Sequence, residues 1–344
     1  MTRLPRKSYV LPILLAIGMA AATGCAGKPE KVAGTDHQEL PKDMQEKFEV
    51  KETAVVPPAI DPVPATLIKV AKKEKKKKVP KSNESSHAIK EVSQVTKGPF
   101  VYPHRRPAVD PIWVGEKLTL DVSWLGLSAG EATLETLPYK SINDRKVYHI
   151  KGTALNSKLV SLIYGFNDTI ETFMDFEGLF SHRFHTVLDE SAQSRDCLEL
   201  YDSEKQQTYF WSRWNHKKRG YSETKQFFPM TPLAQDSLSA LYYIRTLPLK
   251  DGGEYFFPVV SEGKTWEGSI KVIRREVIDT PLGKMKTIVV KPETKYQGIL
   301  QKTGDSFVWL TDDDRHYLVH LEAKIKIGYV VANIMKVEPG EKPH

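Results

Sequence analysis

The chain has 344 residues, 40% of them hydrophobic and 27% charged, so it can bury a substantial core, and its formal net charge is +7. The charge is uneven: residues 1–25 hold Arg3, Arg6 and Lys7 and no acid, residues 26–98 hold 15 Lys against 11 acids, and residues 99–344 balance at zero with 32 of each sign. A nucleic-acid partner would require a basic face on the folded part, so that class is set aside.

Arg3, Arg6 and Lys7 precede an apolar run from Tyr9 to Ala22 and the small residues Ala20 to Gly24, the three parts of a secretory signal. The run is shorter than the roughly 20 helical residues that a bilayer core takes, so residues 1–24 are expected to be a cleaved signal and not a permanent membrane helix. Ala22-Thr23-Gly24-Cys25 resembles the bacterial lipobox, with Ala22 where that pattern favours Leu. The resemblance implies lipidation of Cys25, with palmitate-type acyl chains. With Ala26 next instead of Asp, it also implies sorting to the periplasmic face of the outer membrane. A lipidated Cys25 leaves Cys197 without a partner, which excludes a disulfide framework. Cys197 is then read as a small buried hydrophobe.

Residues 25–98 read as a disordered tether. Pro57, Pro58, Pro62, Pro64 and Pro80 stand among many Lys and Glu with no sustained hydrophobic period, and such a stretch buries too little apolar surface to offset chain entropy. Within it, Lys72, Lys73, Lys75, Lys76, Lys77 and Lys78 form a self-repelling block, a candidate contact for anionic lipid headgroups or wall phosphates. The more apolar residues 54–71 are a candidate docking segment, too short to be stable alone.

A β-rich domain is expected over residues 99–344. Leu118, Leu120, Val122 and Trp124 alternate on one strand face, and Gly126 to Gly130 turn the chain. Further strands are expected over 131–137, 146–153, 166–175, 182–189, 196–202 and 207–214, a meander. Asp236 followed by Leu238, Leu241, Tyr242 and Arg245 at helical spacing predicts one short helix with Asp236 as its cap. The β pattern resumes over 254–260, 264–278, 283–291, 306–310, 317–323 and 328–337. A sheet this long exposes two edges unless it curls, so an antiparallel barrel or half-barrel with the helix at its mouth is expected.

Gly115 to Trp124 with Gly130-Glu131-Ala132, then Ser237 to Arg245, Thr280 to Thr287, Val308 to Asp314 and Ile325 to Gly328 together resemble the exported domain of unknown function 3108. The resemblance spans roughly residues 110–338. It implies an antiparallel β architecture in Gram-negative envelope proteins and supplies no catalytic residues.

Sought directly, catalytic chemistry finds little support. No Gly-x-Ser-x-Gly elbow occurs, and Ser237 and Ser239 are accounted for by helix capping. His182 and His185, three apart on a strand, point to opposite faces. His316 and His320, read on one strand face behind Asp312, Asp313 and Asp314, are the best polar constellation; the Asp run reads more simply as a turn, and no metal site is assigned. Glycine-rich phosphate loops are absent, and no cofactor is expected. Glu171, Asp175, Asp189 and Glu190 are weak candidates for paired carboxylates. Aromatics are more informative: Tyr209, Trp211, Trp214, Tyr242 and Tyr243, with Arg245, are the candidate ligand-binding set, weighed against an ordinary aromatic core. Asp236 and Arg245 are read as a structural ion pair.

The expected function is a non-enzymatic binding or carrier module for an amphipathic envelope ligand, a lipid or a glycan. The alternative is a scaffold lipoprotein that docks on another envelope protein. An apolar cavity would favour the first and a filled barrel with an apolar outer patch the second. A hydrolase would need clustered carboxylates or histidines with displaced pKa in one cleft.

Overall fold

The computed structural model describes residues 29–53, 100–158, 160–296, 299–300, 306–325 and 328–342. The signal, Cys25, the docking segment at 54–71 and the lysine block at 72–78 lie outside the described residues. Along the chain come helix α1 (Lys42–Lys47), strands β1 (Lys51–Glu52), β2 (Val114–Trp124), β3 (Leu127–Ile142), β4 (Arg145–Asn156), β5 (Phe166–Asp175), β6 (Ser181–Glu190), β7 (Gln193–Asp202), β8 (Gln207–His216) and β9 (Gly220–Pro229). Helix α2 (Ser237–Arg245) follows, then β10 (Glu254–Ser261), β11 (Lys264–Thr280), β12 (Gly283–Tyr296), β13 (Ile299–Leu300), β14 (Ser306–Thr311), β15 (Leu318–Lys324) and β16 (Tyr329–Glu341).

The strands form one antiparallel sheet in the order β10-β11-β12-β14-β15-β16-β2-β3-β4-β5-β6-β7-β8-β9, with β1 beside β3 and β13 beside β12. Neighbours in sequence are neighbours in space except at one seam, where the last strand pairs with the first of the meander, Val330 opposite Trp124 and Glu341 opposite Val114. The edges are therefore strands from mid-chain, β9 and β10. The sheet curls without closing its ladder, which is the half-barrel the strand count calls for. Its turns are built from local chemistry: Asn143 and Asp144, at φ 53° and 56°, join β3 to β4 in the left-handed conformation that short hairpins need.

A strap after β9 spans the gap. Ser181 of β6 donates its N–H to Ala234 at 3.0 Å, Gln235 donates to Pro258 of β10 at 2.9 Å, and Val260 donates back to Gln235 at 2.8 Å. Helix α2 then enters the interior, burying Leu238, Ala240, Leu241, Tyr242 and Ile244 in the main core. Asp236 fixes its start: one carboxylate oxygen accepts from the N–H groups of Leu238 and Ser239, each at 2.8 Å, and Ser239 Oγ accepts from Asp236 N at 2.9 Å. The other oxygen accepts from Thr172 Oγ1 at 2.5 Å and Ser181 Oγ at 2.6 Å. The cap thus also ties the helix to β5 and β6. Arg245 does not pair with Asp236; it reaches Glu116 of β2 at the other end of the helix.

The outer face of β3 to β8 carries a second core. Ile142, Val147, Phe173, Leu198, Leu200, Tyr209 and Trp211 point outward there and are covered by Leu40, Met44 and Phe48, which are 4%, 1% and 0% exposed. The reading of residues 25–98 as a featureless tether therefore fails over 29–53. Leu40 before α1, Met44 within it and Phe48 at its C-cap are spaced by four, a signal too sparse to stand out among the surrounding charges. Lys47 binds Asp202 at 2.9 Å and Glu204 at 2.7 Å, and Arg213 donates to Glu39 at 2.8 Å, so the clasp is also pinned by ion pairs. Cover on both faces leaves β7 buried without interruption from Asp196 to Asp202.

Candidate functional site

Antiparallel pairing brings alternate residues of β2 to β9 onto the concave face, and α2 fills only one end of it. The other end is a cavity of about 680 Å³, within the range of small-ligand pockets. Its wall carries Leu134, Ile170, Phe184, Cys197 and Phe210 together with Thr186, Glu199 and Ser212. Toward the mouth the same strands present Asp168, Glu190, Gln193, Arg195 and Trp214. Polar and apolar groups follow one another along single strands. On β7 the inward residues are Gln193, Arg195, Cys197 and Glu199 in order from the turn, and on β5 they are Phe166, Asp168 and Ile170.

The mouth groups hold one another. Trp214 Nε1 donates to Gln193 Oε1 at 2.7 Å, and Gln193 Nε2 donates to Glu190 at 2.9 Å. Tyr164 donates its hydroxyl to the same Glu190 oxygen at 2.5 Å. Asp168 lies diagonally across from Glu190, because Phe166 pairs with Glu190 and Asp168 with Leu188. Burial first and the neighbouring carboxylate second push Asp168 up to about 8, and burial raises Glu190 as well. Two acids in contact with little water share a proton. Arg195 donates to Ser212 Oγ at 3.0 Å and Glu262 at 2.8 Å, so it links β7 and β8 to the β10–β11 turn.

Glu199 follows Cys197 on the inner face of β7 and is buried. It accepts from Gly263 N at 2.8 Å, Glu262 N at 3.1 Å and Thr208 Oγ1 at 3.2 Å, and burial pushes it up to about 7. It thereby holds the β10–β11 turn against β7 across the gap between the β9 and β10 edges. Burial pushes the Cys197 thiol up to about 12, consistent with reading it as a buried hydrophobe and not a nucleophile.

The aromatic set read from the sequence is not brought together. Only Trp214 lines the cavity. Tyr209 and Trp211 face outward beneath the clasp, one strand position out of phase with Phe210. Tyr242 and Arg245 are buried in the main core, and Tyr243 packs edge-on against Phe257 with Arg105 over its ring at 5.2 Å. The histidine constellation also separates: His316 is in the β14–β15 turn with Nδ1 2.7 Å from the Arg245 carbonyl, while His320 on β15 lies 2.7 Å from Asn333 Oδ1. Asp313 accepts from Arg315 N and His316 N at 2.9 and 3.1 Å, which is turn chemistry. Among the described residues no group of three or more His, Cys, Asp or Glu is arranged to hold a metal. Among the acids, Glu171 meets Lys151 at 3.4 Å, Asp175 binds Arg145 at 2.5 Å and Asp189 binds Lys31 at 2.9 Å; only Glu190 enters the cavity. Sequence reasoning missed Asp168, Gln193, Arg195 and Glu199. The alternation of Gln193, Arg195, Cys197 and Glu199 was legible as one strand face, but nothing local marks that face as the inner one.

The model of a family described as protein of unknown function (DUF3108) matches residues 119–335. No curated protein matches the chain. Among solved structures, a β-barrel-like protein of the domain of unknown function DUF1849 from Brucella abortus is 9% identical with a TM-score of 0.41, over 66% of this chain and 98% of that one. A protein described as exported and of YmcC-like fold, from Bacteroides fragilis, is 12% identical with a TM-score of 0.26, over 70% of this chain and 100% of that one.

Proposed function

The chain belongs to the DUF3108 family, proteins of unknown function, and from that premise we propose that it is a non-enzymatic carrier, which holds an amphipathic envelope ligand in its half-barrel. The carrying observation is a cavity of about 680 Å³ that joins an aliphatic and aromatic wall, Leu134, Ile170, Phe184 and Phe210, to the polar groups Asp168, Glu190, Gln193 and Arg195. A ligand with a polar head and an apolar chain matches this pairing, the chain against Leu134, Ile170, Phe184 and Phe210 and the head beside Glu190 and Arg195. In this proposal the protein is a periplasmic lipoprotein held to the outer membrane by acyl chains on Cys25, with Lys72 to Lys78 near anionic surfaces. Hydrolysis draws less support: Asp168 and Glu190 are raised but touch each other on one wall, whereas glycoside chemistry sets its two acids apart across the scissile bond.

The scaffold reading has its own support in β9, whose outer edge has no ladder partner among the described residues. Glu223 and Lys225 on that strand are charges of the kind that blunt edge pairing, so the carrier reading is preferred. The test is lipid analysis by mass spectrometry of the full chain purified from membranes, beside Thr186→Trp, which fills the cavity. One lipid per chain in the wild type, lost in Thr186→Trp, is expected. Equal lipid content in the two would refute the carrier reading.

A further inference from the structure

The turns at the cavity mouth form one continuous rim. Ser157 N donates to Ala129 O at 2.9 Å, Ser191 N to Gly165 O at 2.8 Å, and Lys217 N to Ala192 O at 3.0 Å, so the loops after β2, β4, β6 and β8 are linked in order. The β15–β16 turn adjoins at the other side, where a side chain at Gly328 would meet Leu125. On this rim stand Leu125, Leu127, Leu155, Leu162, Ile163 and Tyr329, which are 57%, 71%, 48%, 85%, 88% and 44% exposed. A contiguous exposed aliphatic patch marks an interaction surface. Leu125 is the more telling because it holds φ 51°, a left-handed position that Asn or Gly would occupy with less strain. Lys158, Lys218, Arg219 and Lys324 are exposed among the aliphatics.

Where the described chain begins bears on what covers this patch. Glu30 O accepts from Asn215 Nδ2 at 3.1 Å, Lys31 binds Asp189 at 2.9 Å, and Val32 N donates to Ser194 Oγ at 3.1 Å. These partners flank the β6–β7 and β8–β9 turns, so the clasp starts at the rim. Cys25 precedes Glu30 by five residues, a span of at most about 18 Å. We infer that the rim docks on the membrane that holds Cys25, its aliphatics entering the headgroup boundary and its basic residues meeting anionic lipid, so that the cavity mouth faces the bilayer. This rests on the lipid-anchored carrier reading and adds the bilayer as the docking partner.

The test places a nitrobenzoxadiazole label on Leu162→Cys of the full-length, membrane-anchored chain, on vesicles of phosphatidylethanolamine and phosphatidylglycerol. Leu282→Cys is the control, an exposed aliphatic in the β11–β12 turn at the far end. Emission shifted to the blue at 162 and quenched by spin-labelled lipid, with an aqueous signal at 282, is expected. Leu127→Asp with Ile163→Asp should lower the quenched fraction about tenfold. An aqueous signal at 162 would overturn the inference, and so would a shielded label that lipid quenchers do not reach, since a protein would then cover the rim. Quenching at 162 in a chain without cavity lipid would sustain the docking and sink the carrier reading alone.

Discussion

Arg245 at the end of α2 donates through Nη1 and Nη2 to both carboxylate oxygens of Glu116, at 2.6 and 2.8 Å, and the two side chains are 1% and 0% exposed. The pair joins the single interior helix to the first strand of the meander, and Arg315 adds a third partner at 2.7 Å from the β14–β15 turn. Three distant parts of the chain therefore meet on one carboxylate.

Removing one member of such a buried pair leaves the other charge uncompensated, at a cost of about 3–5 kcal/mol. Arg245→Met leaves Glu116 with Arg315 alone, so it is expected to lower stability by about 3 kcal/mol, the low end of that range. The double variant Arg245→Met with Glu116→Leu should recover much of the loss, because the half-paired carboxylate is gone and Arg315, partly exposed, keeps the Pro111 and Pro339 carbonyls. Urea unfolding of the three chains checks this; an unchanged midpoint in Arg245→Met would contradict it.

The Asp168–Glu190 pair makes stability depend on pH. Asp168 is raised from 3.8 to about 8, so between those values the folded chain keeps a proton that the unfolded chain has released. Its contribution is present below about pH 4 and is lost as pH rises toward 8. Asp168→Asn should flatten this decline, as seen in urea midpoints taken at intervals from pH 5 to pH 8. An equal slope in variant and wild type would remove the pair as its cause.

The clasp can be loosened by one residue. Phe48 is fully buried against the outer core around Trp211, and Phe→Ala in such a setting costs about 3–5 kcal/mol. For Phe48→Ala the expected result is release of residues 29–53 ahead of global unfolding, with trypsin reaching Lys42 and Lys47 in conditions that leave the wild type intact. Cleavage there at the same rate in both chains would show that the clasp does not hold.

Cys197, buried and pushed up to about 12, should resist iodoacetamide at neutral pH in the folded protein and react once the chain is unfolded in urea, since only the thiolate attacks. Mass spectrometry reads both states. Rapid native alkylation would mean that the cavity wall opens.

Much of the β domain was legible because strands buried on one face carry a period of two. Leu118, Leu120 and Val122 declare β2, and Asp236 with its helical spacing declares α2. Strand β9 escaped this reading: its inner face lines the cavity with Ser222 and Thr224 and its outer face is exposed, so neither face repeats an apolar residue. The clasp escaped for a related reason, since three apolar residues suffice to cover a patch that the sheet itself supplies.

The sequence by itself determined the antiparallel strands, their turns, the capped helix and the division into a charged N-terminal stretch and a neutral β domain, all of which rest on contacts or periodicities within a few residues. Tertiary structure alone decided the seam that pairs β16 with β2, which face of β7 and β8 turns inward, and hence that Trp214 meets the cavity while Trp211 lies under the clasp. Alternation tells that two faces differ and not which one is enclosed; that is settled only when a curled sheet chooses its concave side and a distant segment covers the other.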